Sequence, residues 1–298
     1  MQGLLLLNKP ENITSFSAVS MVKRAAHEKR VGHTGTLDPM ATGVLPVLLG
    51  RATALSSLML DADKKYIATV KLGITTDSDD ITGNILSENT VNITEEQLSK
   101  ALNHFIGVIK QTPPIYSAIK KDGVRLYKLA REGKTAEIPE REIEIFEIKL
   151  ISSIDQNNEF KIETHVSKGT YIRSLARDIG KYLGCGATLS SLCRTYASGF
   201  EINRCVNPKS LNEENVVQYI LNEEVAVSHL PIIKVSAKQA VRFCNGGQLG
   251  FDHLSITEVR DGQLFRVKYE DLFLGIGFAD NDKRQIGIKC IINYPKGE

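Results

Sequence analysis

"RVGHTGTLDPMATGVLP" spans residues 30–46 and holds a single acidic residue, Asp38, among small and uncharged neighbours. Acidic residues in loops usually occur in polar clusters, because a solvated carboxylate costs little. Here one carboxylate lies between a glycine-containing turn and an apolar run that is typical of a buried strand. The stretch therefore predicts a turn that leads into the sheet and presents Asp38 as a functional group.

The composition is that of an ordinary globular protein. The chain has 298 residues, of which 42% are hydrophobic and 24% are charged. This length predicts one large domain with a small one, or two medium domains. The apolar run at residues 3–7 is too short for a membrane span or a signal sequence. We therefore expect a cytoplasmic protein that does not associate with a membrane.

The cysteines form an odd set without a C-x-x-C pair. They are Cys185, Cys193, Cys205, Cys244 and Cys290. This spacing argues against a disulfide framework and against a cysteine-rich zinc site. We expect free thiols in a reducing compartment.

Alternation along the chain predicts an α+β fold. Strand patterns occur at residues 3–7, 66–72, 143–150 and 160–166, with single helices between them. Long strands separated by single helices indicate a domain around a largely antiparallel sheet. After Leu230-Pro231, short strands and glycine turns predict a small β-rich C-terminal domain.

Three segments have the spacing of amphipathic helices. The first begins at a cap, Thr14 or Ser15, and places Phe16, Val19 and Val22 on its apolar side. The second follows the capping-box pair Thr94 and Gln97. The third covers residues 170–183 and ends at Gly184.

Motifs for metals and nucleotides fail on position. "TDSDD" contains Asp77, Asp79 and Asp80, but a calcium loop would need a ligand and a glycine where Ile81 and Thr82 stand. We interpret this segment as a solvated acidic turn. The chain has no G-x-x-x-x-G-K-[ST] and no strand-linked G-x-G-x-x-G, and its six histidines lack metal-ligand spacing. The sequence predicts neither a metal nor a cofactor.

Positive charge is concentrated locally, since the formal net charge is only +2. Residues 110–134 carry seven basic residues against two acidic ones, a net +5, and residues 1–34 carry a net +3. Such runs are typical either of a solvated surface or of a nucleic-acid contact. Charge alone leaves both interpretations open.

Several long motifs in order resemble one family. "GLLLLNKP", "GHTGTLDPMATGVLP", "KKYIATVKLGITTDSDD", "PPIYSAIKKDGVRLYKLAR" and "SKGTYIRSLARDIGKYLGCGA" are similar to the bacterial TruB family of tRNA pseudouridine synthases, over about residues 1–200. The tail is similar, more weakly, to the PUA-like domain of that family. The resemblance implies a catalytic domain at residues 1–230, with an RNA-binding thumb insertion at about 112–141. It implies a PUA-like RNA-binding domain at residues 231–298.

The resemblance also implies the site residues. The catalytic ones are Asp38, Tyr66 and Arg173. The substrate-binding ones are His33, Tyr171, Leu192, Lys9, Lys120, Lys121, Arg125 and Lys128. Two positions depart from the family pattern: Cys193 interrupts its "LRR" stretch, and Asn12 replaces the glycine of "KPxGxTS". Asparagine tolerates positive φ better than most residues, so we expect the turn at Asn12 to survive.

The implied function is isomerisation of uridine 55 in the T-loop of tRNA to pseudouridine, after the base is flipped out of its stack. The partner is tRNA, bound through its T-arm stem-loop and, through the C-terminal domain, its acceptor end; no protein partner is implied. Arg173 would keep Asp38 ionised. We expect Asp38 to stand apart from other acids, since a second acid would raise its pKa and repel RNA. The alternatives are an RNA-binding protein without catalysis and a relative that works with a guide RNA.

Overall fold

The computed structural model describes residues 1–115, 120–121, 124–125, 138–254, 256 and 258–295. The helices of this part are α1 (Ser15–Ala25), α2 (Ser56–Leu60), α3 (Glu95–His104), α4 (Ile172–Leu183) and α5 (Ala237–Cys244). The strands are β1 (Gly3–Lys9), β2 (Val31–His33), β3 (Thr42–Leu49), β4 (Lys64–Leu72), β5 (Ile74–Thr76), β6 (Ile85–Glu88), β7 (Gly107–Gln111), β8 (Lys120–Lys121), β9 (Val124–Arg125), β10 (Arg141–Ser152), β11 (Glu159–Val166), β12 (Ala187–Ala197), β13 (Phe200–Glu201), β14 (Ile220–Leu221), β15 (Ile232–Lys234), β16 (Leu249–Gly250), β17 (Leu264–Tyr269), β18 (Leu272–Asp280) and β19 (Gln285–Ile291).

A ten-stranded sheet forms the larger unit. Its main path runs β14-β1-β3-β12-β4-β11-β10-β7, with β2 paired to β3 and β13 paired to β12. Within this sheet the pair β3 and β12 is parallel, and the other described pairs are antiparallel. The α+β prediction with a largely antiparallel sheet is therefore confirmed.

The helices follow the predicted caps, with two corrections. Thr14 caps α1 by accepting a hydrogen bond from the Ser17 backbone N–H at 3.0 Å. Phe16 is 72% exposed, so its predicted place on the buried side is wrong. The buried stripe of α1 begins at Ser15 instead and recurs every three or four residues. Helix α4 begins at Ile172 rather than at residue 170, because Tyr171 has an extended backbone and serves as its N-cap.

The predicted β-rich C-terminal unit is present as a five-stranded sheet in the order β15-β17-β18-β19-β16. It shares a hydrophobic core with the larger unit, in which Phe273 and Ile276 pack with Leu4 and Leu48. Buried Glu223 adds polar contacts across this junction. Its Oε1 accepts hydrogen bonds from Gln2 Nε2 at 3.0 Å and from Asn293 Nδ2 at 2.6 Å. The two units are thus joined by both apolar and polar contacts.

None of the helices in the described ranges is long and apolar enough to cross a membrane.

Helix α4 lies unusually close to the start of β12. A Cβ atom built on Gly180 would lie 2.1 Å from the backbone nitrogen of Ala187 and 2.4 Å from the carbonyl carbon of Gly186. The helix therefore packs backbone against backbone, which a side chain at this position would prevent. This contact sets the height of α4 over the sheet and hence the position of its first turn.

Gly180→Ala should destabilise the protein, although alanine is the better helix former by roughly 1 kcal/mol. The added methyl group would overlap backbone atoms that cannot rotate away, and we expect a loss of about 1–3 kcal/mol in the free energy of unfolding. Urea unfolding followed by circular dichroism measures the change. Lys181→Ala, at the next and exposed position, is the control and should stay within about 0.5 kcal/mol. An unchanged or raised midpoint for Gly180→Ala would contradict this packing.

Candidate active site

A cavity of about 310 Å³ opens over the large sheet. Asp38 reaches it from the loop before β3, Tyr66 from β4 and Leu192 from β12. Tyr171 and Arg173 reach it from the start of α4. Five residues predicted from distant parts of the sequence therefore line one cavity.

The loop that carries Asp38 is held by backbone contacts on both of its sides. Ser15 Oγ accepts a hydrogen bond from the Leu37 N–H at 2.9 Å and donates to the Leu37 carbonyl at 3.0 Å. On the other side, the Asn12 N–H donates to the Pro39 carbonyl at 2.9 Å. Asn12 has a φ of 64°, so asparagine supports the turn where the family pattern has glycine. These contacts hold in place the backbone that carries the Asp38 carboxylate.

Lys9 lies beneath this loop rather than in the cavity lining. Its side chain is fully buried, and its ammonium donates to the carbonyls of Pro10, Ile13 and Pro39 at 2.9, 2.8 and 3.2 Å. Three carbonyl acceptors satisfy the three N–H donors of a lysine. This arrangement supports a role in shaping the loop, and a contact of Lys9 with substrate stays a prediction.

Arg173 binds the Asp38 carboxylate with two nitrogen atoms. Nε lies 2.9 Å from Oδ2, and Nη2 donates to Oδ1 at 3.2 Å. The arginine side chain is 6% exposed and the aspartate side chain 36% exposed, so the carboxylate faces the cavity and the guanidinium lies behind it. One charge-assisted hydrogen bond, from Nη2, and a second close charge contact, at Nε, together fix the orientation of the carboxylate.

The acidic turn after β5 is not solvated, and its interpretation as a solvated turn is wrong. Asp80 is 4% exposed, and its Oδ2 lies 3.5 Å from Arg173 Nη1. Asp79 pairs with Arg177 at 2.9 Å. The two arginines are four residues apart on α4 and therefore lie on one face of the helix. That spacing places the two arginines side by side, but it does not show which acids they meet.

Asp38 consequently has a second acid near it, contrary to expectation. Burial raises the pKa of the Asp38 carboxyl above its ordinary value, and the charge of Asp80 raises it further. The Arg173 guanidinium lowers the pKa of Asp38 against these effects, and Lys9 assists it. The arginine is shared between two carboxylates, and Asp80 is held by its own turn, since its Oδ1 accepts hydrogen bonds from the Thr82 hydroxyl at 2.6 Å and the Thr82 N–H at 3.0 Å.

Two further basic residues also line the cavity: Lys64, which sequence reasoning missed, and Arg194, which keeps the last position of the "LRR" stretch but was given no role. Arg194 is 1% exposed and donates from Nε to the Val44 carbonyl at 2.7 Å and from Nη2 to the Gly35 carbonyl at 3.2 Å. It therefore ties β12 to β3 and to the loop that leads to Asp38. The alternation of β4 was the available signal for Lys64, because residues two apart on a strand share a face.

The remaining predicted residues lie elsewhere. His33 is on β2 and does not line the cavity, and burial lowers the pKa of its imidazole. Lys120 and Lys121 pair with Val124 and Arg125 as a short antiparallel hairpin. Lys128 lies outside the described residues. Among the residues that are described, no group of three or more His, Cys, Asp or Glu side chains could hold a metal ion.

Two family models match the chain in succession. The TruB family pseudouridylate synthase (N terminal domain) matches residues 23–172, and the tRNA pseudouridylate synthase B C-terminal domain matches residues 173–230. The second match includes β12, which lies within the large sheet. The two models together therefore cover parts of one structural unit.

Curated relatives are similar over most of the chain. The tRNA pseudouridine synthase B of Clostridium tetani is 42% identical over 292 residues, which cover 98% of this chain and 99% of the relative. That of Prochlorococcus marinus is 46% identical over 236 residues, which cover 78% of this chain and 75% of the relative.

Solved structures show the same fold. A chain of an H/ACA RNP bound to a substrate RNA containing 2'-deoxyuridine superposes with a TM-score of 0.74 at 23% identity, covering 99% of this chain and 87% of that chain. A chain of a Cbf5-Nop10-Gar1 complex also gives a TM-score of 0.74, at 25% identity, covering 99% of this chain and 84% of that chain.

The pKa of Asp38 should move in opposite directions when its two charged neighbours are neutralised. Arg173→Gln removes the cation that lowers it, so we expect the pKa to rise; Asp80→Asn removes an anion, so we expect it to fall. Carbon-13 NMR of the aspartate carboxyl carbons during a pH titration measures both shifts. Asp252→Asn, at a side chain 85% exposed in the smaller unit, is the control and should change nothing at Asp38. Shifts of the same sign for the first two variants would contradict the shared arginine.

Proposed function

The chain belongs to the TruB family of pseudouridylate synthases and is a tRNA pseudouridine synthase, and from this premise we propose that it isomerises uridine 55 in the T-loop of tRNA. The single observation that carries the chemical proposal is the two-point ion pair of Asp38 with Arg173 at a cavity that Tyr66 also lines.

The reaction requires a charged oxygen close to the sugar and the base. The bond between C1′ and N1 of uridine breaks, the uracil turns, and a bond forms between C1′ and C5. The proton leaves C5, and N1 takes up a proton, so the product has the same atoms as the substrate and no electrons are exchanged. We assign the charged oxygen to Asp38.

An ionised Asp38 could act by attack on C1′, by attack on C6, or by removal of the C2′ proton. All three routes need the carboxylate form, and burial opposes that form. The Arg173 guanidinium favours it. The ion pair therefore supports each route equally, because all three routes require ionised Asp38.

Tyr66 and Leu192 are suited to hold an extruded base. Both are nearly buried, at 7% and 9% exposure, and both line the cavity. Flipping a nucleotide costs a few kcal/mol, which contacts with an aromatic ring and an apolar side chain can offset. We assign Tyr66 to one face of the uracil and to removal of the C5 proton, Leu192 to packing on the base, and Tyr171 to shaping the pocket.

The proposed partner surface extends beyond the cavity. The basic segment with Lys120, Lys121, Arg125 and Lys128 would contact phosphates of the T-arm, which position RNA without selecting its sequence. The C-terminal unit would meet the acceptor end. All five cysteines are free, which fits a cytoplasmic protein. The curated relatives are tRNA pseudouridine synthases at about 40% identity, which favours a stand-alone enzyme over a guide-RNA type.

Asp38→Asn should abolish turnover and leave RNA affinity within a few-fold. The amide keeps the shape of the side chain but cannot carry the negative charge that every proposed route needs. Release of tritium from a T-arm stem-loop labelled at C5 of the uridine measures turnover, and filter binding measures affinity. Asp252→Asn is the charge-matched control and should retain both.

A large loss of affinity in Asp38→Asn would contradict a mainly catalytic role. If the wild-type protein bound the stem-loop tightly without releasing tritium, the T-loop would not be its substrate.

A further inference from the structure

Lys64 occupies a position next to the reacting centre that the proposed mechanism does not use. It is the first residue of β4, two residues before Tyr66, and it lines the same cavity as Asp38. Residues two apart on a strand lie about 6.6 Å from each other on the same face. Lys64 is only partly buried whereas Tyr66 is buried, so Lys64 lies toward the rim of the cavity.

Backbone contacts fix the ammonium of Lys64. Its Nζ donates to the carbonyl of Leu60 at 3.3 Å and to the carbonyl of Ala62. A lysine ammonium has three N–H donors, and within the described ranges no partner takes the third. The side chain is therefore placed by the loop before β4 and keeps one donor for a ligand.

No carboxylate in the described part of the chain lies within 4.0 Å of Lys64. The two acids close to it are committed elsewhere. Asp61 pairs with Lys168 at 3.0 Å, and Asp63 binds His165. Arg194 stands opposite Tyr66 on the adjacent strand, and its acceptors in the described part of the chain are likewise carbonyls.

Among the residues that the structure describes, neither Lys64 at the rim nor the buried Arg194 has a carboxylate within 4.0 Å. Burial lowers the pKa of Lys64 to about 8 and repulsion by Arg194 adds to this effect, although the charges of Asp63 and Asp61 partly oppose it. Removing a cation from water without an opposite charge is costly. An anion that binds at Lys64 would offset this cost, and the substrate of this enzyme carries an anion on every nucleotide.

We propose that Lys64 binds one of the two phosphates that flank the flipped uridine, as a positioning residue for the reaction. The nucleoside would then be held at two points, the base at Tyr66 and the backbone at Lys64, and its sugar would lie between them beside Asp38. Arg194, which is 1% exposed, contributes its charge and not a contact. The inference rests on the proposed function only in that a uridine of tRNA occupies this cavity.

The first experiment compares Lys64→Met with Lys65→Met. Lys65 is the next residue on β4, is buried to a similar degree, and faces the other side of the sheet, where it lies 5.9 Å from the ring of Tyr196. Both variants remove one positive charge from one strand. Binding of whole tRNA is measured over a range of salt concentrations in an Asp38→Asn background, so that the RNA is not converted.

We expect Lys64→Met to weaken binding by about tenfold and to reduce the slope of log K against log salt by about one. Lys65→Met should leave the slope nearly unchanged, and Lys64→Arg, which keeps the charge, should restore it. If the melting temperature of Lys64→Met falls, Lys64→Gln, which can still donate to the two carbonyls, replaces it. Equal slopes for the Lys64 and Lys65 variants would overturn the proposal.

The second experiment identifies the phosphate. T-arm stem-loops are made with a neutral methylphosphonate on the 5′ or the 3′ side of the target uridine. The affinity of each stem-loop is measured for the protein that retains Lys64 and for the Lys64→Met variant. For one of the two positions the tenfold difference should disappear, because the contacted charge is already absent. A difference that persists at both positions would overturn the phosphate contact. Tritium release by wild-type protein from the unmodified stem-loop tests the T-loop proposal separately, and the salt experiment with whole tRNA does not depend on it.

Discussion

The guanidinium of Arg173 lies between two carboxylates, and the position and the charge of Asp38 both depend on it. A carboxylate alone in this cavity would tend toward its neutral form, because burial disfavours the charge. Asp80 holds the far side of the guanidinium and is itself fixed by hydrogen bonds from Thr82. The negative charge of Asp80 acts against ionisation of Asp38, but the effect of Arg173 on the pKa of Asp38 is the larger of the two. Asp80 therefore reduces the electrostatic stabilisation of ionised Asp38, but it also helps to fix the orientation of the Arg173 guanidinium.

This ion group holds its geometry because the elements that carry it meet through their backbones. The Ser15 hydroxyl makes hydrogen bonds with both the N–H and the carbonyl of Leu37, on the loop before Asp38. Gly180 lets α4 lie directly on the start of β12, and so sets where Arg173 stands. Arg194 joins β12 to the same loop through the Gly35 carbonyl. Backbone contacts of this kind leave the loop and the helix little freedom to move. The packing of the fold therefore sets the distance between the Asp38 carboxylate and the Arg173 guanidinium.

Sequence patterns predicted the parts of the site that depend on local periodicity or on a family motif. The alternation of β4 predicted the buried face that Tyr66 occupies, and the motifs supplied Asp38 and Arg173. The spacing could not show that the acidic turn is buried, since Arg173 and the Ser78 carbonyl it binds are 95 residues apart. Phe16 was misplaced for the same kind of reason, because Ser15 takes the buried position through a contact with Leu37, 22 residues away. Pairing of charges across such distances is set by tertiary packing, which a local pattern does not contain.

The charges of the cavity fall into two groups with different requirements. Asp38 and Asp80 are both paired with Arg173 within the protein, so the geometry of these three side chains does not need substrate. Within the described residues, Lys64 and Arg194 have only carbonyl partners, and we propose that a phosphate of the RNA pairs with Lys64. In such a site the reactive carboxylate is oriented before substrate binds. The cation at Lys64 gains an opposite charge only when the RNA strand enters the cavity. The formal net charge of +2 does not show this difference. RNA binding depends on which cations lack a carboxylate partner, and not on how many cations the chain has.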